Sequence, residues 1–248
     1  MGSAAVMSAT TVPSLLVPSR RAYTRVGAYD IVKRVVDVVL SLAVLVLLLP
    51  VLVILAIAIK VDSPGPILFT QERVGGKRAR REDGSRLWAP CTFRIYKFRS
   101  MVQDADPTVH EEYVRQFVAG EAPAGDSRPD APFKLAHDVR VTRVGRVLRR
   151  TSLDEVAQLV NVLRGDMSVV GPRPVPLYEA ACYGARDAER FAALGGITGL
   201  WQVKGRGNVN FDEMVRLDLS YVHRRSILFD FKILVLTIPA LLRGRGAA

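Results

Sequence analysis

The chain has 248 residues, 49% of them hydrophobic, so it can bury a sizeable core and is far from the composition of a disordered protein. Lys and Arg outnumber Asp and Glu by 35 to 24, which gives a net charge of +11 and favours anionic partners: phosphates, nucleic acid or acidic lipid headgroups. Cys91 and Cys182 form no Cys-x-x-Cys pair, so neither a disulfide framework nor a zinc knuckle is indicated.

The ends of the chain are predicted to be loose tails. Residues 1–28 are rich in Ser, Ala, Thr and Arg and contain no apolar run, which is typical of disorder and unlike a signal peptide. Residues 243–248 are predicted as a short second tail. Between the tails we expect a membrane segment at 29–60 and a globular domain at 61–242.

The membrane segment is indicated by an apolar run. From Val38 to Ile59 only Ser41 is polar, and Pro50 is the only helix breaker. This length predicts a membrane helix, with a buried core helix as the alternative. Pro50 lacks a backbone donor and clashes with the preceding turn, so a kink is expected near the middle.

Charges on both sides of the run bear on its topology. Residues 1–34 carry a net charge of +4, with Lys33 and Arg34 directly before the run, and residues 60–86 carry +3. The positive-inside rule favours the cytoplasmic side for each flank. We therefore favour a re-entrant helix that turns back at Pro50, anchored by Lys33 and Arg34, over a straight span.

The remaining pattern predicts a helix-rich α/β domain with a few short strands. Strands are expected at 67–70 and 93–98, on either side of a basic loop at 73–86, and a mobile loop is expected at 119–132. Helices are expected from Thr151 until Gly165, at 175–194 and at 211–222. The apolar stretch at 233–242 is too short to cross a bilayer and fits an interfacial helix or a core helix equally well.

Two carboxylates stand at the predicted start of the helix at 151. Ser152 followed by Glu155 has the spacing of a capping box, in which Asp154 merely complements the helix dipole. The same position keeps a carboxylate ionised beside amides that attract phosphate, and an ionised Asp beside a phosphate can act as a nucleophile. Both interpretations stay open at this point.

Arginines surround this acidic pair. Five of them precede it within eleven residues: Arg140, Arg143, Arg146, Arg149 and Arg150. Arg173 lies between two prolines and Arg206 between two glycines, settings that suit rigid or close presentation of a guanidinium to phosphate. The alternatives are a solvated basic face for the five and simple turns for the other two.

Two other function classes remain open on these residues. Asp104-Ala-Asp106 matches the Asp-x-Asp metal signature of glycosyltransferases that release UDP, although three-residue patterns often arise by chance. The basic composition also fits a membrane-anchored scaffold that binds polyanions without catalysis.

The chain from about Tyr29 to Leu242 resembles the bacterial sugar transferases, the monotopic phosphoglycosyl transferases that act on polyprenyl phosphate. The motifs that carry the resemblance occur in order: Lys33-Arg34, Asp62-Ser-Pro-Gly-Pro66, Gln71-Glu-Arg-Val-Gly75, Lys97-Phe-Arg-Ser-Met101, Thr151-Ser-Leu-Asp-Glu155, Asn161-Val-Leu-Arg-Gly-Asp-Met-Ser168, Gly171-Pro-Arg-Pro174 and Gly196-Ile-Thr-Gly-Leu-Trp-Gln-Val203. The resemblance implies a re-entrant membrane helix broken at a proline and a catalytic domain at 61–242.

The resemblance also implies a chemistry and its residues. Asp154 is implied as the nucleophile that attacks the sugar-bearing phosphate of a UDP-sugar and expels UMP, after which polyprenyl (undecaprenyl) phosphate takes the phosphosugar. Mg²⁺ is implied at Asp154, Glu155 assists, and Arg149, Arg173 and Arg206 line the phosphate region. Under the same resemblance the catalytic domain faces the cytoplasm at the bacterial inner membrane. Membrane lipid is a partner, nucleic acid is not, and a second copy of the chain is a further candidate.

One motif indicates the sugar, and the chain departs from the family pattern at two other positions. Gly199-Leu-Trp-Gln-Val203 resembles members that transfer hexose phosphate, whereas members using N-acetylated amino sugars tend to have Gly-Trp-Ala-Gln-Val. Leu49 stands where several members have Ser, and Gly195 where many have Pro. Longer relatives carry a membrane bundle and a soluble domain ahead of this region, so we expect the catalytic unit alone.

Overall fold

The computed structural model of the protein describes residues 27–80, 86–121, 138–204 and 209–242. Its helices are α1 (Ala28–Asp62), α2 (Thr108–Val118), α3 (Arg143–Thr151), α4 (Gln158–Arg164), α5 (Leu177–Ala180), α6 (Leu200–Lys204), α7 (Phe211–Arg224) and α8 (Ile227–Leu242). Its strands are β1 (Leu68–Arg80), β2 (Arg86–Phe98), β3 (Met167–Val170), β4 (Val175–Pro176) and β5 (Gly195–Thr198), and 3₁₀ turns cover Leu153–Glu155 and Asp187–Phe191. The predicted tails, except for the start of α1, and most of the predicted loop at 119–132 lie outside the described residues.

Helix α1 confirms a long apolar helix close to the predicted bounds. It spans 35 residues and is long and apolar enough to cross a membrane, while only 6% of its most apolar stretch is buried. Val46 and Leu47 are largely exposed. The alternative of a buried core helix is therefore wrong, and the helix is continuous through Pro50.

The larger sheet has three antiparallel strands in the order β2-β1-β4. The predicted loop at 73–86 is wrong up to Arg80, because β1 continues that far. Gly75 and Gly76 suggested a loop, but a Cβ on Gly76 would lie 2.1 Å from the carbonyl oxygens of Phe191 and Ala193. Glycine is needed inside this strand because another backbone packs directly against it.

The region after α3 is not one helix. Ser152 takes a left-handed conformation (φ 58°) at the end of α3, and the chain makes a 3₁₀ turn before α4 begins. Ser152 makes no capping hydrogen bond, so the capping box is wrong. Gly165, also left-handed, ends α4 as predicted.

The predicted helix at 175–194 is also wrong in most of its length. Val175 pairs with Val74 of β1, and only Leu177–Ala180 is α-helical before the 3₁₀ turn. Helix α7 is confirmed, with the Asn210 side chain accepting from the Glu213 amide at 2.9 Å.

Helix α8 combines both interpretations offered for its sequence. Ile233 is fully buried, and Thr237 Oγ1 lies 2.8 Å from Thr198 Oγ1 on β5. On the outer side, Leu228 and Phe231 are largely exposed. The helix therefore packs on the smaller parallel sheet, β3-β5, and leaves an apolar surface facing outwards.

Candidate active site

Asp154 lies in the 3₁₀ turn between α3 and α4, and it is only 3% exposed. Its Oδ1 atom has no hydrogen-bond partner among the described residues. Burial raises the pKa of Asp154 to about 6, against the opposing charge of Lys97. The predicted helix start is a turn of three residues, so burial and not a helix dipole dominates the pKa of Asp154.

Glu155 has the opposite electrostatic environment. Its Oε1 atom lies 2.7 Å from Lys97 Nζ in an ion pair. Burial would raise the pKa of Glu155, but Lys97 and Arg173 outweigh it and hold that pKa below its ordinary value. Two adjacent carboxyls are thus pushed apart in acidity, which is the arrangement expected where they play different chemical roles.

A small pocket, with a volume of about 20 Å³, is lined in part by Glu155. It is lined by Arg73, Ile95, Lys97, Glu155, Gln158, Arg173, Pro174, Gly196, Ile197 and Gln202. Three cationic side chains and one carboxylate line it, so an anionic group such as a phosphate is the ligand that this charge balance favours.

Arg73 is the most unusual of these cations. Its side chain reaches the Pro174 carbonyl oxygen at 3.3 Å, its Nε has no partner, and no described carboxylate lies within ion-pair distance of it. Burial and the neighbouring Arg173 lower the pKa of Arg73 to about 10. A buried guanidinium without a counter-ion is costly, and a bound anion would remove that cost.

The predicted residue Arg173 lines the same pocket, on a loop that the core holds in place. The Gly171 amide donates to Thr198 O at 2.9 Å, and Arg190 Nη2 donates to the Arg173 carbonyl at 3.3 Å. The proline on each side restricts the backbone further. The structure therefore places Arg173 beside Glu155 at the pocket, whereas Asp154 is not among the residues that line it.

The other predicted arginines divide into two groups. Arg149 is half-buried, with Nε donating to Ser100 Oγ at 3.0 Å; burial lowers its pKa while Asp154 raises it, which places the two side chains in one electrostatic environment. Arg143, Arg146 and Arg150 are exposed, as a solvated basic face would be. Arg206 lies outside the described residues.

Sequence reasoning missed the four polar or cationic side chains of the pocket other than Glu155 and Arg173: Arg73, Lys97, Gln158 and Gln202. Three of them lie inside motifs that carry the family resemblance, so those motifs were a usable signal. Gln158 lies outside them, in a predicted helix, and only the 3₁₀ turn before α4 directs it to the pocket.

The fit of Mg²⁺ rests on Asp154. Within the ranges that the structure describes, no three His, Cys, Asp or Glu side chains gather around one point. Mg²⁺ commonly takes one or two carboxylates and completes its shell with water and substrate phosphate oxygens. The unpartnered Oδ1 atom of Asp154, with Glu155 next to it, fits that kind of site.

The Asp-x-Asp pair is engaged elsewhere. Asp106 Oδ1 accepts from the amide and the hydroxyl of Thr108, at 2.9 and 2.7 Å, at the start of α2. These bonds to a residue two positions later are those of a local Asx-type turn, and they leave the pair without a sign of metal binding.

Comparison with known proteins identifies matching relatives. Residues 28–244 match the family described as "Bacterial sugar transferase". The chain is 38% identical over 218 residues to the galactosyl transferase CpsE of Streptococcus agalactiae, covering 88% of this chain and 43% of that protein. It is 40% identical over 228 residues to the UDP-glucose:undecaprenyl-phosphate glucose-1-phosphate transferase of Caulobacter vibrioides (89% and 73%). It is also 35% identical over 215 residues to the exopolysaccharide production protein ExoY of Sinorhizobium fredii (87% of each). The chain spans about two fifths of the length of several longer relatives.

Proposed function

Because the chain belongs to the bacterial sugar transferase family, we propose that it transfers a hexose-1-phosphate from a UDP-sugar to undecaprenyl phosphate and so initiates polysaccharide assembly. Relatives named for this transfer, with glucose or galactose as the sugar, support the substrate class. The observation that carries the chemistry is the buried Asp154 carboxylate, whose Oδ1 atom has no partner among the described residues and which interacts electrostatically with Lys97, a cation of the pocket.

The proposed reaction has two displacement steps. A carboxylate oxygen of Asp154 attacks the sugar-bearing phosphorus of the UDP-hexose, the bond to the bridging oxygen breaks, and UMP leaves with the electron pair. An oxygen of undecaprenyl phosphate then attacks the same phosphorus. The bond to Asp154 breaks, which restores the carboxylate and yields an undecaprenyl diphosphate hexose.

The residues around Asp154 suit these steps. With a pKa of about 6, Asp154 is mostly ionised at neutral pH yet more basic than an ordinary carboxylate. Arg73, Lys97 and Arg173 stabilise the phosphate oxygens, while Glu155 holds Lys97 at the pocket. Arg149 interacts electrostatically with Asp154, and Arg206 is proposed as a further phosphate contact. Mg²⁺, when bound at Asp154, would offset phosphate charge.

Helix α1 is proposed to be re-entrant at the cytoplasmic face of the inner membrane. Arg34 donates to the carbonyl oxygens of Val162 and Leu163, and Ile59 packs in a buried cluster with Ala157. In a straight helix Arg34 and Ile59 would be about 37 Å apart, whereas Ala157 and Val162 are separated by about 8 Å along α4. The return of both ends of α1 to one short segment supports a bend at Pro50.

Cysteine labelling from each side of the membrane tests this topology. Single cysteines at Ala28 and Ser63, in a protein whose Cys91 and Cys182 have been replaced, should both react only from the cytoplasmic side. Reaction of one of them from the outer side would instead establish a straight span.

The mechanism is tested by incubating the detergent-purified protein with Mg²⁺ and a radiolabelled UDP-hexose in the absence of lipid. We expect about one UMP per protein and label retained on the denatured chain. Asp154→Asn should abolish both, and Asp212→Asn, an exposed carboxyl on α7, should change neither.

Other outcomes identify the competing functions. Release of UDP would indicate a glycosyltransferase, and UMP release that needs the lipid would indicate direct transfer. A donor panel distinguishes hexoses from N-acetylated amino sugars. Polyanion binding without any nucleotide release would support a scaffold. Homodimerisation stays a prediction.

A further inference from the structure

Helix α1 carries a buried carboxylate that does not contact the pocket. Asp37 is 3% exposed and lies on the inner face of α1. Its Oδ2 accepts from Ser168 Oγ at 2.7 Å, and its Oδ1 accepts from the Val169 amide at 3.1 Å. A membrane helix is an unusual place for a buried Asp, so the two bonds to β3 call for an explanation.

Strand β3 leads directly into the loop that presents Arg173. Val170 ends the strand, and Gly171 begins the Gly-Pro-Arg-Pro loop. The carbonyl of Val170 lies 3.0 Å from the Tyr221 hydroxyl, so the strand is held from α7 as well. Asp37 therefore fixes β3 from the membrane helix only four residues before Arg173.

The neighbouring charges keep Asp37 in place. Lys33, one turn earlier on α1, lies 3.9 Å from Asp37 Oδ1 and 2.9 Å from Asp230 Oδ2 on α8. Tyr29 and Tyr221 also bond to Asp230, through their hydroxyls. This buried polar cluster joins α1, α8 and β3 with fixed geometry.

We propose that Asp37 is a positioning residue that couples the membrane helix to the Arg173 loop. The position of α1 against β3 thereby determines where Arg173 contacts the substrate phosphate. The coupling acts through β3, since Asp37 is bonded to Ser168 and Val169. Its kinetic consequence rests on the proposed function, whereas its structural consequence does not. A displacement of about 1 Å at a reacting group can cost on the order of 100-fold in rate.

The test compares two aspartates of α1. Asp37→Ala removes both bonds to β3, while the matched variant Asp30→Ala removes an ion pair with Arg78 on β1 at 2.5 Å. We expect Asp37→Ala to lower kcat about 10- to 100-fold with little change in the KM for the UDP-sugar, and Asp30→Ala to leave kcat unchanged. Asp37→Asn should recover most of the activity, because an amide can accept from Val169 and donate to Ser168.

Hydrogen exchange in the detergent-purified protein gives a readout independent of turnover. Asp37→Ala should speed exchange in residues 167–175, and Asp30→Ala should not. The milder Ser168→Ala, which removes one bond, replaces Asp37→Ala if the latter does not fold. Equal exchange at 167–175 in both Ala variants, or unchanged exchange in Asp37→Ala, would overturn the coupling. If the unmodified protein releases no UMP, the proposed function is wrong. Hydrogen exchange at 167–175 still tests the coupling in that case.

Discussion

Three arginines are almost fully buried in the described part of the chain, Arg73, Arg99 and Arg190, and the surroundings of Arg190 and Arg73 differ. Arg190 is 1% exposed and pairs with Asp218 at 2.5 Å, and it also bonds to the Tyr183 hydroxyl. Arg73 is 8% exposed and has a carbonyl contact but no carboxylate within ion-pair distance in the described part of the chain. Burial would lower both pKa values, but Tyr183 and Asp218 raise that of Arg190, whereas that of Arg73 falls to about 10.

The difference separates a structural charge from a functional one. Arg190 has its counter-ion inside the protein and supports the loop by bonding to the Arg173 carbonyl. Arg73 lines the pocket without an ion pair in the described residues, and Glu155 and Glu179 offset its charge only in part, so folding leaves it ready for an anion. We therefore expect loss of Arg190 to affect stability first, and loss of Arg73 to affect binding first.

Removing Arg190 should have the largest effect. Arg190→Met leaves Asp218 buried without its partner, so we expect the free energy of unfolding to fall by about 3–5 kcal/mol. Denaturant unfolding of the purified protein measures this. A loss below about 1 kcal/mol would mean that the pair is not structural, and Arg216→Met, which breaks an exposed pair with Glu213, is the matched control.

Removing Arg73 should reverse that pattern. Arg73→Met deletes an uncompensated buried charge, so stability should hold or rise slightly, while the KM for the UDP-sugar rises about 10- to 100-fold through the lost phosphate contact. Steady-state kinetics and a melting curve on the same preparation measure both. The assignment fails if the variant unfolds as readily as Arg190→Met and binds the donor normally.

The smallest expected effect concerns pH. Ionised Asp154 is required, so kcat/KM should rise with pH through about 6. Lys97→Met removes the cation that lowers the pKa of Asp154, so the midpoint should move to higher pH, by about one unit. The pH profile of UMP release measures the shift; an unmoved midpoint would remove Asp154 from that titration.

The free energy of unfolding should depend on the same titration of Asp154, but it should fall with rising pH where kcat/KM rises. The folded pKa of Asp154 lies above its ordinary value, so its contribution to stability is fully present below about pH 4 and is lost as pH rises through about 6. Asp154→Asn should therefore be more stable than the unmodified protein at pH 7. The difference between the melting curves of the two proteins measures the contribution of this carboxyl group.

Sequence patterns predicted the elements whose cause is local. The apolar run predicted α1, the alternation at 93–98 predicted part of β2, and the pattern at 211–222 predicted α7. Gly165 ended α4 as expected because it takes a left-handed conformation. In each case a short window contains the physical reason.

Sequence patterns failed where segments far away in the chain determine the local structure. The glycine-containing stretch at 73–86 suggested a loop, but Gly76 lies in β1, where it admits the carbonyls of Phe191 and Ala193. Ser152 and Glu155 suggested a capping box, but Glu155 pairs with Lys97, 58 residues away in the chain. Neither partner is visible to a local pattern.

The sequence by itself determined the family, the membrane helix and the identity of Asp154, Glu155 and Arg173 as candidate residues, because motif order and apolar length are properties of the chain. Only the tertiary structure decided that Asp154 is buried with a raised pKa and that Arg73 joins the pocket unpaired. Burial and charge compensation depend on what surrounds a side chain in space, and those neighbours come from segments far apart in the sequence.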